Sequence, residues 1–159
     1  MEDRPQSAWK RLVLRLLHLS FLVWRPMTLG VRAIVIDAQD RVLLVRHTYV
    51  PGWHLPGGGV ERGETLLASL ARELAEEGNV LIEEEPRLQG IFFNKAASPR
   101  DHVAVYVVRR FRQTGPRVPD REIAEARFFA RDALPEGVGR ATRARLAEAL
   151  DGAPIAQTW

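Results

Sequence analysis

Three carboxylates, Glu73, Glu76 and Glu77, stand three and four residues apart in the stretch GETLLASLARELAEEG, residues 63–78. On a helix that spacing gathers them on one patch. Like charges so placed repel, by about 0.2–0.5 kcal/mol per pair. A divalent cation reverses the sign of that interaction, and an all-oxygen cluster suits Mg²⁺ or Mn²⁺, which keep several waters and bind substrate phosphates. A solvated acidic helix face is the competing reading. The helical wheel weighs against it: Leu66, Leu67, Leu70, Ala71 and Leu74 form an apolar stripe, and Glu73 and Glu77 border that stripe rather than oppose it. A carboxylate buried at such a shoulder is costly without a compensating group. The helix by itself leaves both readings open.

The elements that must position these acids follow from local signals. Thr65 is a plausible N-cap for a helix over 65–77. Before it, TLGVRAIVID (28–37) and RVLLVR (41–46) flank Ala38-Gln39-Asp40 and read as a hairpin. A loop with Pro51 and Gly52 leads to Trp53-His54-Leu55 and then Pro56-Gly57-Gly58-Gly59. Strands are expected at 80–83, 88–93, 102–111 and 125–129, and an amphipathic helix at 139–150. Strands alternating with two helices predict a layered α/β (α+β) domain. There is no internal repeat and no linker after Pro26, which divides the chain into an extension, 1–26, and a domain, 27–159.

Composition narrows the classes. At 159 residues, 46% hydrophobic and 27% charged, the chain is one ordinary globular domain with little left over. It has no cysteine, which excludes disulfides, thiolate metal sites and cysteine nucleophiles. The pI near 9.9 reflects arginine, which does not deprotonate, and the formal charge is only +3. Residues 1–30 (Arg4, Lys10, Arg11, Arg15 and Arg25 against Glu2 and Asp3) carry that whole excess, and residues 31–159 are neutral. A nucleic-acid binder would spread its basic residues over a binding face, so nucleic acid is not an expected partner.

The basic segment 7–25 reads as an amphipathic helix ended by Pro26, with Trp9 and Trp24 near its two ends. Arg15 and His18 interrupt its apolar region and no small-residue cleavage site follows, so a secretory signal is not indicated. It is too short and too charged to span a bilayer. Two readings are open: packing on the domain or on a second copy of the chain, and an interfacial helix on an anionic membrane. The expected location is the cytoplasm, with peripheral contact at the inner membrane surface under the second reading.

Gly58, five residues, Glu64, seven residues, then Arg72-Glu73-Leu74-x-Glu76-Glu77 and, after two more residues, Val80 resembles the Nudix box, G-x5-E-x7-R-E-U-x-E-E-x-G-U with U apolar. A chance match is on the order of 10⁻⁸ per start position at average residue usage. The flanking Leu55 to Gly58 and the preceding hairpin are also similar to the family, and the likeness covers roughly residues 28–150. One position departs: the penultimate glycine is replaced by Asn79, after Gly78. Left-handed geometry past a helix end favours Gly and then Asn, so Asn79 is expected to hold the turn.

The resemblance implies a Nudix-like α/β/α sandwich with a mixed central sheet. It implies Glu73, Glu76 and Glu77 as Mg²⁺ (or Mn²⁺) ligands, the Gly57 carbonyl as a further ligand, and Arg72 as the residue that orients the carboxylates. Glu64 is left between a helix-entry role and a water-mediated metal role. The implied reaction is attack of water on a phosphorus of a small nucleoside diphosphate derivative. The general base is a box glutamate, Glu76 or Glu77, or else an acid on a later loop, Glu122 or Glu125.

Around the box, Arg46, Trp53, His54, Lys95 and Arg100 are candidate substrate contacts, each with a plain alternative. Arg46 can be an exposed strand end, Trp53 can pack the loop beneath the glycines, and His47 and His54 can be solvated. The segment holding Phe93, Asn94, Lys95 and Arg100 can be basic only for solubility, and Glu83-Glu84-Glu85 reads as a solvated turn. Subfamily markers do not decide the substrate. The downstream proline of ADP-ribose pyrophosphatases has no counterpart, since Pro86 and Pro99 are misplaced. The tyrosine of diadenosine polyphosphate hydrolases would fall near Ala97, and the SQPWPFPxS-like run of NADH pyrophosphatases is absent. A nucleoside triphosphate or RNA 5′-end pyrophosphohydrolase is the alternative within the class, and a catalytically weak nucleotide-sensing module the alternative outside it.

Overall fold

Residues 31 and 33–36 are buried at 1% exposure or less, so this strand is covered on both faces, as its near-continuous apolar run requires. The computed structural model describes Leu16 and residues 26–159. Apart from Leu16, the helix expected over 7–25 lies outside the described residues. Strands β1 (Thr28–Val35), β2 (Val42–His47), β3 (Val80–Ile82), β4 (Arg87–Phe93), β5 (Asp101–Val108), β6 (Phe111–Gln113) and β7 (Ile123–Phe129) accompany two helices, α1 (Leu66–Gly78) and α2 (Arg140–Leu150). A mixed three-stranded sheet has the order β1-β5-β4, with β1 parallel and β4 antiparallel to β5. Two antiparallel pairs, β2-β7 and β3-β6, complete the strands.

Alternation along the strands divides the interior in two. Val31, Ala33, Val35, Ala104, Tyr106 and Val108 pack with Leu43, Leu70, Leu74 and Val80, and so face α1. Ile34, Ile36, Val103, Val105 and Val107 pack with Trp53, Leu55, Phe92 and Leu146, and so face α2. The result is the α+β fold of a mixed sheet between two helices. No helix among the described residues is long and apolar enough to cross a membrane.

Two expectations are corrected here. The hairpin over 28–46 exists only at its turn, where Ile36 bridges Val42 and the Asp37 amide donates to the Arg41 carbonyl at 3.0 Å. Beyond that point β1 pairs in parallel with β5 and β2 pairs antiparallel with β7. Ala71, expected in the apolar stripe of α1, is exposed, whereas Ser69, Glu77 and Gly78 are buried. The stripe leans toward the carboxylate end of the helix.

Candidate active site

The Thr65 hydroxyl accepts from the Ala68 amide at 3.1 Å and starts α1. Asn79 ends it at φ 53°, ψ 35°, the left-handed geometry expected of that position. Between these caps the last two turns carry Arg72, Glu73, Glu76 and Glu77. The side chains of Glu73 and Glu77 are only 13% and 10% exposed, while that of Glu76 is 61% exposed, which puts it at the mouth.

Arg72 ties three carboxylates together. Its Nε donates to Glu64 Oε1 at 2.8 Å and its Nη2 to Glu64 Oε2 at 3.0 Å. Its Nη1 donates to Glu73 Oε1 at 2.7 Å and reaches Glu76 Oε2 at 3.5 Å. A further bond goes from Nη2 to the Gly59 carbonyl at 3.2 Å, which fastens the glycine loop to the helix. The Arg72 guanidinium, with the Glu61 amide, holds the Glu64 carboxyl down to about 2. Glu64 is thus an ionised anchor for Arg72.

Glu77 is bound differently. Its Oε2 accepts from the Gly57 amide at 2.7 Å, and its Oε1 lies 3.5 Å from His47 Nε2. Burial pushes its carboxyl up to about 7; the Gly57 amide and Arg32 oppose that, and Glu73 and Glu76 reinforce it. Burial first, and then the nearby Arg32, lower the pKa of the enclosed His47 ring, which disfavours its charged form. Its Nδ1 has no hydrogen-bond partner among the described residues.

Two glycines allow this approach. At Gly57, φ is +134° and a Cβ would run into the Val31 carbonyl. At Gly58 a Cβ would overlap the Glu73 carboxylate. The Gly57 carbonyl accepts from Arg32 Nη1, which also donates to the Leu55 carbonyl at 3.1 Å. A carbonyl has two lone pairs, so one remains free for another partner. Arg32 is not among the candidates that the sequence suggests, although it is the single charge in the run LGVRAIVI.

The carboxylates open on a cavity of about 400 Å³ that also holds Arg32, His47, His54, Gly57 and Glu122. A second cavity, about 490 Å³, lies across the glycine loop and shares Arg32, His54, Gly58 and Gly59 with the first. His54 therefore touches both, its Nε2 3.0 Å from the Pro51 carbonyl. Glu122 sits on the wall of the first.

The other candidate contacts lie elsewhere. Trp53 is 7% exposed and packs edge-on against Phe129 at 4.8 Å, so a stacking role gives way to a core role. Arg46 pairs with Glu125 at 3.2 Å and lies over Trp53, because alternation on β2 turns it to the face of Val42 and Leu44. Neither it nor Glu125 lines the carboxylate cavity. Lys95 and Arg100 are exposed and line neither cavity. Glu83, Glu84 and Glu85 are exposed, as a solvated turn should be.

Among the described residues no three acidic or imidazole groups already share one coordination shell. Arg72 engages Glu73 and Glu76 while Gly57 engages Glu77, which keeps the three apart. The chemistry of the donors nonetheless fits a hard divalent cation. All are oxygens, the Gly58 cradle admits the Glu73 carboxylate close to the loop, and Glu77 is a buried acid whose burial outweighs the nearby charge of Arg32.

A mixed sheet lies between two helices, and a glycine loop delivers the backbone to a carboxylate helix. The NUDIX domain model matches residues 26–150, and the chain belongs to that family. It is 28% identical over 126 residues to a MutT-like protein of Streptomyces ambofaciens, covering 79% of each chain. It is 31% identical over 105 residues to an ADP-ribose pyrophosphatase of Methanocaldococcus jannaschii, covering 64% of this chain and 62% of that one. The crystal structure of a MutT NUDIX hydrolase from Burkholderia pseudomallei superposes with a TM-score of 0.64 at 28% identity, covering 75% of this chain and 95% of that one. Nudix hydrolases generally use divalent metals such as Mg²⁺.

Proposed function

We propose that the chain hydrolyses the diphosphate linkage of a small nucleoside diphosphate derivative, with water attacking phosphorus and Mg²⁺ (or Mn²⁺) as the cofactor. The observation that carries this reading is the buried Glu77 carboxylate, held by the Gly57 amide beside Glu73 and Glu76, in a cavity that shares a wall with a larger one. Glu73, Glu76, Glu77 and the free lone pair of the Gly57 carbonyl would hold the cation. When bound, it supplies Lewis acidity, lowering the pKa of water and neutralising charge on the phosphate oxygens.

The chain's own residues supply the rest. Arg72 fixes the directions of Glu64, Glu73 and Glu76, which removes the rotamer freedom that would otherwise oppose ligand binding. Arg32, on the wall shared by both cavities, presents a guanidinium suited to phosphate oxygens. The proton of the attacking water goes to a box glutamate, Glu76 or Glu77. Glu122 faces the same cavity and is the acid to test against them, whereas Glu125 is committed to Arg46. The relatives support the class, since one is named an ADP-ribose pyrophosphatase.

A panel of linked nucleoside diphosphates and nucleoside triphosphates with Mg²⁺ tests this. The expected result is release of a nucleoside monophosphate from at least one linked diphosphate. Glu77→Gln should lower kcat by about 10²–10⁴-fold, the range for loss of a positioned acid or base. Turnover confined to triphosphates would overturn the substrate class.

A further inference from the structure

We infer that the first turn of α2 is an oxyanion site, which takes a phosphate-class group in the cavity of about 490 Å³ across the glycine loop. Gly139, Arg140, Ala141 and Thr142 all line that cavity, and none of the four lines the carboxylate cavity. The site is thus separate from the metal-binding glutamates, and it goes beyond the reaction proposed for them.

The start of α2 lacks what stabilises a helix end from within. The first amides of a helix have no intrahelical partner, and a side-chain oxygen at the N-cap satisfies one of them. Thr65 does this for α1, at φ −81° and ψ 160°. Gly139 holds nearly the same backbone, φ −65° and ψ 157°, with no side chain to offer. Neither conformation nor space calls for glycine there: φ is negative, and a Cβ would meet no atom within 4 Å. The next residue is Arg140, and the first turn contains no acid. A cation at the positive end of the helix dipole is unfavourable. Arg140 pairs with no acid among the described residues, since Glu148 and Asp151 are taken by Arg145 and Arg131. An anion before this turn would satisfy the free amides and the guanidinium together.

A side chain points the same way, independently of the helix end. Thr142 is only 5% exposed, lines the cavity, and makes no hydrogen bond through its hydroxyl among the described residues. A buried hydroxyl without a partner is costly, and a ligand in this cavity would supply one. Arg32 adds a second guanidinium to the lining, and Asp101 is its one acid. That carboxylate already accepts at both oxygens, from the Thr28 hydroxyl at 2.6 Å and from Asn94 Nδ2 at 2.8 Å. Two guanidiniums, a hydroxyl and free helix amides outweigh one acid tied to its own donors, so the lining favours an anion. The anion is either a distal phosphate of a diphosphate-linked substrate or free phosphate; its chemistry is the same.

The test is titration of the full chain with inorganic phosphate in EDTA, followed through the amide resonances of Ala141 and Thr142. Without a divalent cation the three carboxylates repel phosphate, so the signal belongs to α2 and does not depend on the proposed reaction. Both amides should shift. Arg140→Ala and Thr142→Val should each weaken binding about 10- to 100-fold, the loss of one hydrogen bond to a charged group. Gly139→Asp should raise the melting temperature and abolish the shifts, because its own carboxylate takes the amides. Gly139→Ala should bind phosphate as the wild type does. NAD⁺ and NADP⁺, which differ by one phosphate, separate the two sources. Tighter binding of NADP⁺ that is lost in Gly139→Asp identifies a distal substrate phosphate, and equal binding of the two identifies free phosphate. The inference is overturned if the Ala141 and Thr142 amides stay still, or if Gly139→Asp binds phosphate like the wild type. Absence of turnover with phosphate bound at α2 would count against the proposed reaction and leave this site standing.

Discussion

Arg72 decides which way three carboxylates point, and it does so with a planar fork of donors. Lysine carries the same charge as a compact ammonium and cannot reach Glu64, Glu73 and the Gly59 carbonyl together. Arg72→Lys and Arg72→Ala should therefore weaken Mg²⁺ binding alike, by about 10–100-fold, the usual effect of removing a residue that orients metal ligands. Titration calorimetry with Mg²⁺ checks this, and an unchanged affinity in the lysine variant would show that charge alone suffices. Gly58 sets a second constraint at this scale. Gly58→Ala places a methyl group on the Glu73 carboxylate, and the expected result is loss of Mg²⁺-dependent thermal stabilisation in a chain that still folds.

At the scale of elements, the exit of α1 and the loop from β6 to β7 are joined. Asn79 Nδ2 donates to the Pro116 carbonyl at 3.1 Å, and Arg117 Nε donates to the Glu76 carbonyl at 2.6 Å. Asn79→Ala should cost about 1–2 kcal/mol, the penalty of left-handed backbone for a residue with a Cβ and no polar group to offset it. Asn79→Gly should cost less, near the worth of one hydrogen bond, about 0.5–1.5 kcal/mol. Urea unfolding of the two variants gives the comparison. In the same loop, Asp120 accepts from the amides of Ile123 and Glu122 and pairs with Arg117, which together hold its carboxyl down to about 2 from an ordinary 3.8. Because the folded value is the lower one, the stabilisation is complete above the ordinary carboxyl range and is lost as pH falls from about 4 toward 2. Thermal melts of the wild type and Asp120→Asn should differ at pH 6 and converge near pH 2.

Local chemistry makes α1 legible in the amino-acid sequence: Thr65 precedes an apolar period, three acids sit on its shoulder, and Asn79 follows Gly78. The strand partners are not legible in that way. Alternation over 28–37 and 41–46 is the same whether the strands pair with each other or leave for β5 and β7, since pairing is decided by residues far along the chain. Trp53 and Arg46 resemble ligand groups because aromatic and basic side chains serve both cores and ligands, and only the face of the strand tells them apart. Gly139 and Arg140 carry no local signal of a site, since only the cavity they line gives them one.

For the whole molecule, the uneven charge is the feature the family likeness does not account for. The excess of +3 lies within residues 1–30, and the remainder is neutral. If the segment 7–25 meets anionic lipid, the full chain should sediment with vesicles rich in phosphatidylserine, and a chain starting at Met27 should stay in the supernatant. Equal sedimentation of both would remove the membrane reading and favour packing on the domain or on a second copy.

The pairing of the strands also fixes an order of events in time. Thr28 meets Asp101 and Val42 meets Phe129, and both of these long closures enclose α1. Pairing between residues so distant in sequence is slow, because a long stretch of chain must be immobilised before any contact rewards it. The helix with its mutually repelling acids can form early, but the loop that receives Glu77 is braced on β1 through Val31, Ala33 and Arg32. Helical signal should therefore return first on refolding, and affinity for Mg²⁺ only when the last strand is in place.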